Sequence, residues 1–280
     1  MTLKKNNFGF IQGRLTKQKK KIQQFPTENW KKEFCIARKL KLKLIEWTID
    51  HYGFFKNPLL NKKYIKTIKK TSKINNIKIN SVTADFFMER PFWKQKNLKH
   101  YTNKVELLIK YCGIFKIEYI VLPLVDNSSI KNKRTEQIVI NELKKLNNLL
   151  KELKVTILFE SDFKPQKLLK FIKNFDDKNF GINYDLGNSA SLSYNLDQEF
   201  NTYGKFIKNV HIKDRIKNGK TVRLGDGTVN FKKFFKLIKK INYKGPLILQ
   251  TARSARKGHD YDELKINLEF LKKILTSELR

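Results

Sequence analysis

Eight short apolar segments recur along the chain, each followed by a segment of helical periodicity, and this alternation limits the fold more than any other feature. The apolar segments are continuous rather than half polar, which is typical of strands that are buried on both faces of a sheet. Strands that are separated by helices pair in parallel through right-handed crossovers. The predicted strands are 8–11, 44–47, 77–83, 119–123, 155–159, 180–184, 209–215 and 246–249.

The segments between these strands have apolar residues spaced for one buried helical face. In the first of them, Thr27 is predicted to be the N-cap, and Phe34, Ala37 and Leu40 form the apolar stripe. The other predicted helices are 61–74, 98–111, 134–153, 167–175, 197–206, 231–241 and 260–275.

Eight strand–helix units within 280 residues fit a closed (β/α)8 TIM barrel, which typically needs about 250 residues. An open doubly wound sheet is less favoured because the first strand is not followed by a Gly-x-Gly-x-x-Gly segment that could bind a dinucleotide phosphate. No linker or break in composition divides the chain. We therefore predict an α/β protein with a single parallel eight-stranded TIM barrel as one domain over residues 1–280.

The formal net charge of +34, from 60 Lys and Arg against 26 Asp and Glu, raises the question of a nucleic-acid partner. The excess is mostly lysine and is spread over nearly every predicted helix, whereas proteins that read bases usually carry clustered arginines and interleaved exposed aromatic residues. We interpret the charge as solvated helix faces in a chain of biased composition, and expect no dedicated nucleic-acid partner. The charge could still attract an anionic metabolite.

The cysteines and the N-terminus bear on the compartment. Cys35 and Cys112 lie inside helical patterns without Cys-x-x-Cys spacing, which favours reduced thiols. The first residues lack the apolar segment of a signal peptide, and no run approaches the roughly 18 apolar residues of a membrane span. We expect a soluble cytoplasmic protein without a membrane partner.

Four consecutive strands of the second half end on residues that can bind a metal: Glu160, Asp185, His211 and Gln250. Because the chemistry of TIM barrels lies at the carboxyl ends of the strands, these side chains are expected to meet. Two carboxylates, an imidazole and an amide oxygen suit Mn²⁺, Mg²⁺ or Co²⁺, and they also accommodate Zn²⁺. Taken singly, His211 also fits a satisfied core group and Asp185 a turn former. Their shared position favours one metal site.

Motifs at the strand ends and in the following loops point to a family. They are Ile-Glu-Trp at 45–47, Glu160, Tyr-Asp-Leu-Gly-Asn at 184–188, His-Ile-Lys-Asp at 211–214, and Leu-Gly-Asp-Gly at 224–227 followed by Phe231. Together they resemble the xylose-isomerase-like barrels, the superfamily of sugar and sugar-phosphate isomerases and epimerases, and the resemblance extends along the whole chain. It implies one divalent metal ion, with Mn²⁺ favoured, that is held by Glu160, Asp185, His211 and Gln250. It also implies an α-hydroxycarbonyl substrate that chelates this ion.

The reaction implied by the resemblance is isomerisation or epimerisation by proton abstraction next to a carbonyl, through a metal-stabilised enediolate. Glu160 is expected to move the proton. Lys213 would stabilise developing negative charge, and Asn188 would donate a hydrogen bond to a substrate hydroxyl. A solvated lysine and a turn asparagine are the simpler interpretations of the last two residues.

Gln250 departs from the family pattern, because epimerases of this superfamily usually present a glutamate from the eighth strand. An amide oxygen can bind a metal, but it cannot accept a proton at ordinary pH. A symmetric epimerisation with two glutamates is therefore in doubt. The candidates for a second base are Glu46, Asp85, Asp214 and Lys213. Without one, the reaction would be a one-base isomerisation or a dehydration of the inosose type.

The residues predicted to bind substrate follow strand ends or lie in the loop after the seventh strand: Gln12, Arg14, Glu46, Asn188, Asp214, Arg215, Arg223 and Arg253. Arginines in these positions could hold a phosphate or a carboxylate through paired hydrogen bonds. We therefore expect a small-molecule carbohydrate as the partner, preferably phosphorylated or acidic. The sequence leaves homo-oligomerisation open.

Two other classes of function remain alternatives. Abasic-site endonucleases share this barrel, and the positive charge would favour their DNA substrate. Those enzymes, however, hold a cluster of three metals with histidine-rich ligands, and this chain has 4 His in total. Asn188 also stands where those nucleases place a metal ligand. A non-catalytic sugar-binding barrel is the second alternative, for which the replacement of a glutamate by Gln250 is the argument.

Overall fold

The computed structural model describes residues 7–16, 24–256 and 258–277. Within these ranges eight parallel strands close into a barrel in the order β1-β10-β7-β6-β5-β4-β3-β2, while β8 and β9 form a separate hairpin. The strands are β1 (Phe8–Ile11), β2 (Leu44–Thr48), β3 (Lys78–Thr83), β4 (Tyr119–Leu124), β5 (Thr156–Ser161), β6 (Phe180–Asp185), β7 (Ile207–Ile212), β8 (Asp214–Arg215), β9 (Thr221–Val222) and β10 (Leu247–Leu249). The predicted (β/α)8 barrel is confirmed.

Helices surround the barrel. They are α1 (Trp30–Lys39), α2 (Ile65–Asn75), α3 (Asp85–Glu89), α4 (Leu98–Phe115), α5 (Lys133–Lys144), α6 (Asn147–Leu153), α7 (Pro165–Ile172), α8 (Leu186–Ser191), α9 (Leu196–Tyr203), α10 (Phe231–Lys240) and α11 (Asp260–Ser277). Within the described ranges, no helix combines the length and the apolar character that a membrane crossing requires.

Several predicted boundaries are wrong. The first helix begins at Trp30 and has Asn29 at its N-cap, so Thr27 is not the cap. The single helix predicted over 134–153 is divided into α5 and α6 by a turn at Lys145 and Leu146, just before two consecutive asparagines of low helix propensity that begin α6. The short helices α3 and α8 were not predicted, because five or six residues are too few to show helical periodicity.

The predicted seventh strand, 209–215, also differs from the structure. β7 ends at Ile212, and the chain then turns into the antiparallel hairpin of β8 and β9. The reason lies in Asp214, whose carboxylate accepts hydrogen bonds from the backbone N–H groups of Gly225 and Gly227 at 2.9 and 3.0 Å. Asp214 therefore folds the following loop back onto itself instead of extending the barrel.

The main core lies between the strands and the helices. Trp47 of β2 packs on Trp30 and Phe34 of α1, with ring centroids 5.5 and 6.4 Å apart. On the other side of the barrel, Phe159 of β5 packs against Phe171 of α7 at 5.0 Å. Burial of an aromatic or large aliphatic side chain contributes about 1.5–3 kcal/mol, and this layer contains dozens of such residues. It therefore provides the rigid frame that holds the strand ends in place.

The inside of the barrel becomes polar toward the carboxyl ends of the strands. Residues that pair across parallel strands point to the same side of the sheet. Asp185 pairs with His211, and Glu46 pairs with Ser81. The fold thus places carboxylates and an imidazole around one cavity at the barrel mouth.

Candidate metal centre

Glu160, Asp185 and His211 form a buried group that could hold a metal ion, with one ligand atom from each residue within 4.8 Å of the others. The Nδ1 atom of His211 lies 3.1 Å from Oε2 of Glu160 and 4.0 Å from Oδ2 of Asp185. Two carboxylates and one imidazole are the oxygen and nitrogen donors that Mn²⁺, Mg²⁺ and Zn²⁺ accept. The residues present therefore fit a single divalent ion.

Glu46 determines which nitrogen of His211 faces this group. Its Oε1 lies 2.7 Å from Nε2 of His211, and both side chains are completely buried. Oε2 of Glu46 accepts hydrogen bonds from Ser81 at 2.7 Å and from Asn209 at 3.1 Å. A carboxylate that accepts one ring N–H fixes the tautomer and leaves the other nitrogen to bind the metal. Glu46, predicted as a substrate residue and as a candidate base, thus lies behind His211.

The electrostatics of His211 follow from this arrangement. Burial alone would lower the pKa of the imidazole, but the carboxylates of Glu46 and Glu160 outweigh burial and raise the pKa well above its usual range. Without a metal ion, the two carboxylates thus favour the protonated form of the ring.

Two asparagines connect the group, and the sequence analysis did not single them out. Asn183 donates to Oε2 of Glu160 at 2.9 Å, and its Nδ2 also lies 3.1 Å from Nδ1 of His211. The Oδ1 atom of Asn183 accepts a hydrogen bond from Asn209 at 2.7 Å. Each asparagine lies two residues before a predicted ligand, so strand periodicity could have placed both on the same inner face.

Gln250 lies beside Lys213 at the rim of the group. Its Oε1 accepts a hydrogen bond from Nζ of Lys213 at 3.3 Å. Lys213 also donates to Oδ2 of Asp185 at 3.2 Å and to Oδ1 of Asn188 at 3.3 Å. The lysine is thus in direct contact with two residues predicted as metal ligands.

Asn188 connects Glu160 to the hairpin of β8 and β9. Its Nδ2 donates to Oε1 of Glu160 at 2.9 Å, and its Oδ1 accepts from a terminal nitrogen of Arg215 at 2.8 Å. The backbone N–H of Asn188 donates to Oδ1 of Asp185 at 2.7 Å, so that Asp185 is the N-cap of α8. The short helix therefore fixes Asn188 next to the predicted proton-transfer residue.

Three other predicted substrate residues contact the protein itself. Besides the two glycine N–H groups, Asp214 accepts the backbone N–H of Val229 at 3.2 Å and is completely buried. Arg223 forms a bidentate pair with Glu263, with N–O distances of 2.8 and 2.7 Å. The side-chain oxygen of Gln12 accepts the backbone N–H of Thr48 at 3.2 Å, which ties β1 to β2.

Arg14 and Arg253 lie near the buried carboxylate of Glu33, a residue that no sequence motif indicated. Glu33 accepts the backbone N–H groups of Gly13 and Leu15 at 2.8 and 3.0 Å. Arg253 donates to the carbonyl oxygen of Gly13 and, at 3.2 Å, to Asp260. Gly13 has a φ of +90°, a conformation that favours glycine, so the loop can bend around Glu33.

Burial shifts the pKa values of both Glu33 and Arg14. Burial raises the pKa of Glu33 from about 4.5 to about 7, against the hydrogen bonds that lower it. Burial, together with the charge of Arg253, lowers the pKa of Arg14 to about 10, while Asp85 acts in the opposite direction. Asp85, a candidate second base, accepts a hydrogen bond from Thr83 at 2.7 Å.

A second missed carboxylate, Glu199, lies behind α8. It accepts hydrogen bonds from the hydroxyl groups of Tyr184, Ser189 and Tyr203 at 2.8, 2.5 and 2.6 Å. Burial raises its pKa. A cavity of about 20 Å³, roughly the room that one water requires, is lined by Glu160 and Glu199 among other residues. Glu199 thus anchors Tyr184, which precedes Asp185, and Ser189, which follows Asn188.

The chain is similar in sequence to known proteins. An inosose dehydratase of Clostridium botulinum is 21% identical over 257 residues, which cover 76% of this chain and 86% of that protein. An uncharacterised protein of Methanocaldococcus jannaschii is 31% identical over 91 residues, and this match spans only 30% of its length.

Solved structures share the fold. A xylose isomerase-like TIM barrel protein from Mycobacterium smegmatis, in complex with magnesium, superposes with a TM-score of 0.72 at 16% identity and covers 100% of both chains. D-Psicose 3-epimerase from Clostridium cellulolyticum superposes with a TM-score of 0.73 at 14% identity, over 96% of this chain and 99% of that one. The family model described as xylose isomerase-like TIM barrel matches residues 18–274. This chain therefore belongs to the xylose isomerase-like TIM barrel family.

Proposed function

We propose that this protein is a divalent-metal-dependent isomerase or epimerase that acts on a sugar or sugar phosphate by moving a proton next to a carbonyl. The observation that carries the proposal is the buried group of Glu160, Asp185 and His211 at the barrel mouth. It combines a carboxylate that can move a proton with donors that can hold a Lewis acid. The barrel fold shared with a known sugar epimerase supports this class of reaction.

Glu160, Asp185 and His211 would hold the ion, and Gln250 is proposed as a fourth ligand. Mn²⁺ is favoured, while Mg²⁺, Co²⁺ and Zn²⁺ accept the same donors. When bound, the ion would supply Lewis acidity that stabilises negative charge on the substrate oxygens.

Glu160 acts as the base in this proposal. Asn183 orients one of its carboxylate oxygens and Asn188 the other, both at 2.9 Å. The proton on the carbon next to the carbonyl passes to Glu160, and the electron pair of the broken C–H bond moves toward the carbonyl oxygen. Return of the proton to the neighbouring carbon, together with transfer of the hydroxyl proton to the former carbonyl oxygen, completes an isomerisation. Asn188 would exchange its contact with Glu160 for a substrate hydroxyl.

The other side of the substrate faces Lys213 and Gln250. Gln250 cannot accept a proton, so we propose a reaction in which Glu160 alone moves the proton between carbons. Lys213 and Arg215 both donate to Oδ1 of Asn188, at 3.3 and 2.8 Å, and bring two positive charges to one side of the site. This charge supports a substrate with an anionic group, such as a sugar phosphate or a sugar acid.

The proposal is tested by solvent deuterium exchange. A panel of ketoses, keto-sugar acids and their phosphates is incubated with the Mn²⁺-loaded protein in D₂O, and deuterium at the carbon next to the carbonyl is measured by mass spectrometry. We expect uptake with an anionic ketose, lowered about 10²- to 10⁴-fold in Glu160→Gln. Glu152→Gln, a change at an exposed glutamate of α6, is the matched control and keeps full uptake. If no compound of the panel exchanges, the proposed isomerase reaction is overturned.

A dehydratase is the second candidate, favoured by the similarity to inosose dehydratase over 76% of the chain. Elimination of water also begins with a proton taken next to a carbonyl, and it needs a single base rather than two. The two reactions are separated by the product. An isomerase keeps the substrate mass, apart from deuterium, whereas a dehydratase releases a product that is lighter by one water.

A further inference from the structure

The ammonium group of Lys213 contacts three oxygens at the mouth of the barrel. It lies 3.2 Å from Oδ2 of Asp185, 3.3 Å from Oε1 of Gln250 and 3.3 Å from Oδ1 of Asn188. Two of these oxygens belong to proposed metal ligands. A positively charged group of the chain therefore contacts two of the four residues that are proposed to hold a divalent ion.

We propose that Lys213 is an internal counter-cation of the metal centre. It keeps Asp185 and Gln250 assembled when the ion is absent, and it weakens the binding of a divalent ion, which must share these oxygens with it. The proposal rests on the metal site proposed above, but on no particular reaction.

The position of Lys213 is built into the fold. A Cβ atom on Gly187 would lie 2.7 Å from Cγ of Lys213, so only a glycine at the start of α8 leaves room for the lysine stem. The side chain of Lys213 is 14% exposed, whereas that of a lysine in a solvated loop extends into water. The ammonium is thus directed to these oxygens by packing as well as by charge.

Asp185 cannot rotate away from Lys213 to serve an ion alone. Its Oδ1 accepts the N–H of Asn188 at 2.7 Å as the cap of α8, which leaves Oδ2 toward both Lys213 and His211. The Oδ2 atom lies 4.0 Å from Nδ1 of His211, on the side where the ion would bind. An ion bound there would lie close to the ammonium, and like charges at such distances repel each other.

Gln250 strengthens this effect because its side chain is neutral. Glu160 and Asp185 supply two negative charges and Lys213 one positive charge, so these side chains together with Gln250 carry a net formal charge of −1. A glutamate at position 250 would make this sum −2. A bound ion would therefore meet less negative charge than it would with a glutamate at position 250.

The test is the affinity of the EDTA-stripped protein for Mn²⁺, measured by isothermal titration calorimetry, with no substrate present. We expect Lys213→Met to bind Mn²⁺ at least about tenfold more tightly than the wild type, because a charge next to the ion is removed. We expect Gln250→Glu to tighten binding as well. Lys217→Met removes an exposed lysine of the same hairpin and should leave the affinity unchanged.

A second readout is the thermal stability of the metal-free protein. Lys213→Met should melt at a lower temperature in EDTA, since three oxygens each lose one hydrogen bond. Addition of Mn²⁺ should raise its melting temperature by more than it raises that of the wild type. If Lys213→Met does not fold, Lys213→Gln keeps a hydrogen-bond donor without the charge, and the same tightening is expected. Equal or weaker Mn²⁺ affinity in a folded Lys213 variant overturns the proposal. Absence of divalent-metal binding in all variants instead removes the metal site on which the proposed function depends.

Discussion

Two clusters of buried charge lie at the carboxyl end of the barrel, and they use their charges differently. The metal-capable group, Glu160, Asp185 and His211, directs its ligand atoms toward one another. The second cluster, which we call the loop clamp, consists of Glu33, Arg253 and Asp260. Glu33 and Arg253 both contact Gly13, and Arg253 also donates to Asp260. The loop clamp therefore uses its charges to hold the chain, whereas the metal-capable group concentrates donor atoms around one point.

The difference shows why a charged residue at a strand end is not by itself evidence of a ligand site. The carboxylate of Glu33 is satisfied by two backbone N–H groups and by the hydroxyl of Thr16 at 3.0 Å, contacts that folding alone provides. The carboxylate of Glu160 accepts hydrogen bonds from the side chains of Asn183 and Asn188, and Oδ2 of Asp185 accepts one from the side chain of Lys213. A substrate or an ion can replace a side-chain contact more easily than a backbone contact that holds a loop.

The largest expected effect separates the two clusters by metal affinity. Asp185→Asn should lower the Mn²⁺ affinity strongly, because one of the two ligand carboxylates loses its charge. Loss of a residue that only supports a ligand costs roughly 10- to 100-fold in affinity, and the loss expected for Asp185→Asn is larger. The helix cap is retained, since asparagine caps as well as aspartate. Asp260→Asn, in the loop clamp, should leave the affinity unchanged in the same calorimetric measurement. An equal loss in both variants would remove the distinction between the clusters.

The next largest effect is the pH dependence of stability that Glu33 causes. Burial raises its pKa in the folded protein from about 4.5 to about 7, so the folded state holds the proton more tightly than the unfolded state. The contribution of Glu33 is therefore most favourable below about pH 4.5 and decreases by about 3 kcal/mol as the pH rises to about 7. Urea unfolding of the wild type and Glu33→Gln between pH 4 and 8 measures the difference. A difference that is independent of pH would contradict the prediction.

Loss of Asn183 should have a smaller effect on metal binding. Asn183→Ala removes the donor that orients Glu160 next to His211, and we expect the Mn²⁺ affinity to fall about 10- to 100-fold. Asn179→Ala is the matched control, because Asn179 is also buried but donates to Asn147 away from the site. Similar losses in both variants would mean that Asn183 acts only through general stability.

The smallest effect is expected for Arg223. The side chain of Arg223 is 45% exposed in its pair with Glu263, and exposed ion pairs contribute little to stability. Arg223→Gln should therefore change the free energy of unfolding by less than about 1 kcal/mol. We also expect no change in the substrate KM, since Glu263 already binds the guanidinium group. A tenfold or larger rise in KM would contradict this prediction and indicate that Arg223 binds the substrate.

The sequence by itself determined the strands and the residues at their ends. The apolar runs are long enough to be recognised as buried strands, and β1 and β4 begin at the residues where the pattern starts. Glu160, Asp185 and His211 could be grouped because parallel strands place all of their carboxyl ends on the same side of a barrel. Short helices such as α3 and α8 carried too little periodicity to be found.

Only the tertiary structure decided which polar residues serve the site and which serve the fold. Glu46 and His211 are 165 residues apart in sequence, and no local pattern indicates that one orients the other. The four arginines predicted to bind substrate look alike in the sequence, but Arg215 contacts Asn188 at the site. The neighbours of the other three, Arg14, Arg223 and Arg253, include carboxylates of α1 and α11, whose positions depend on how these helices pack. The positions of the strands follow from local hydrophobicity, whereas the partner of a charged side chain is fixed by contacts between distant segments, which exist only once the barrel has closed.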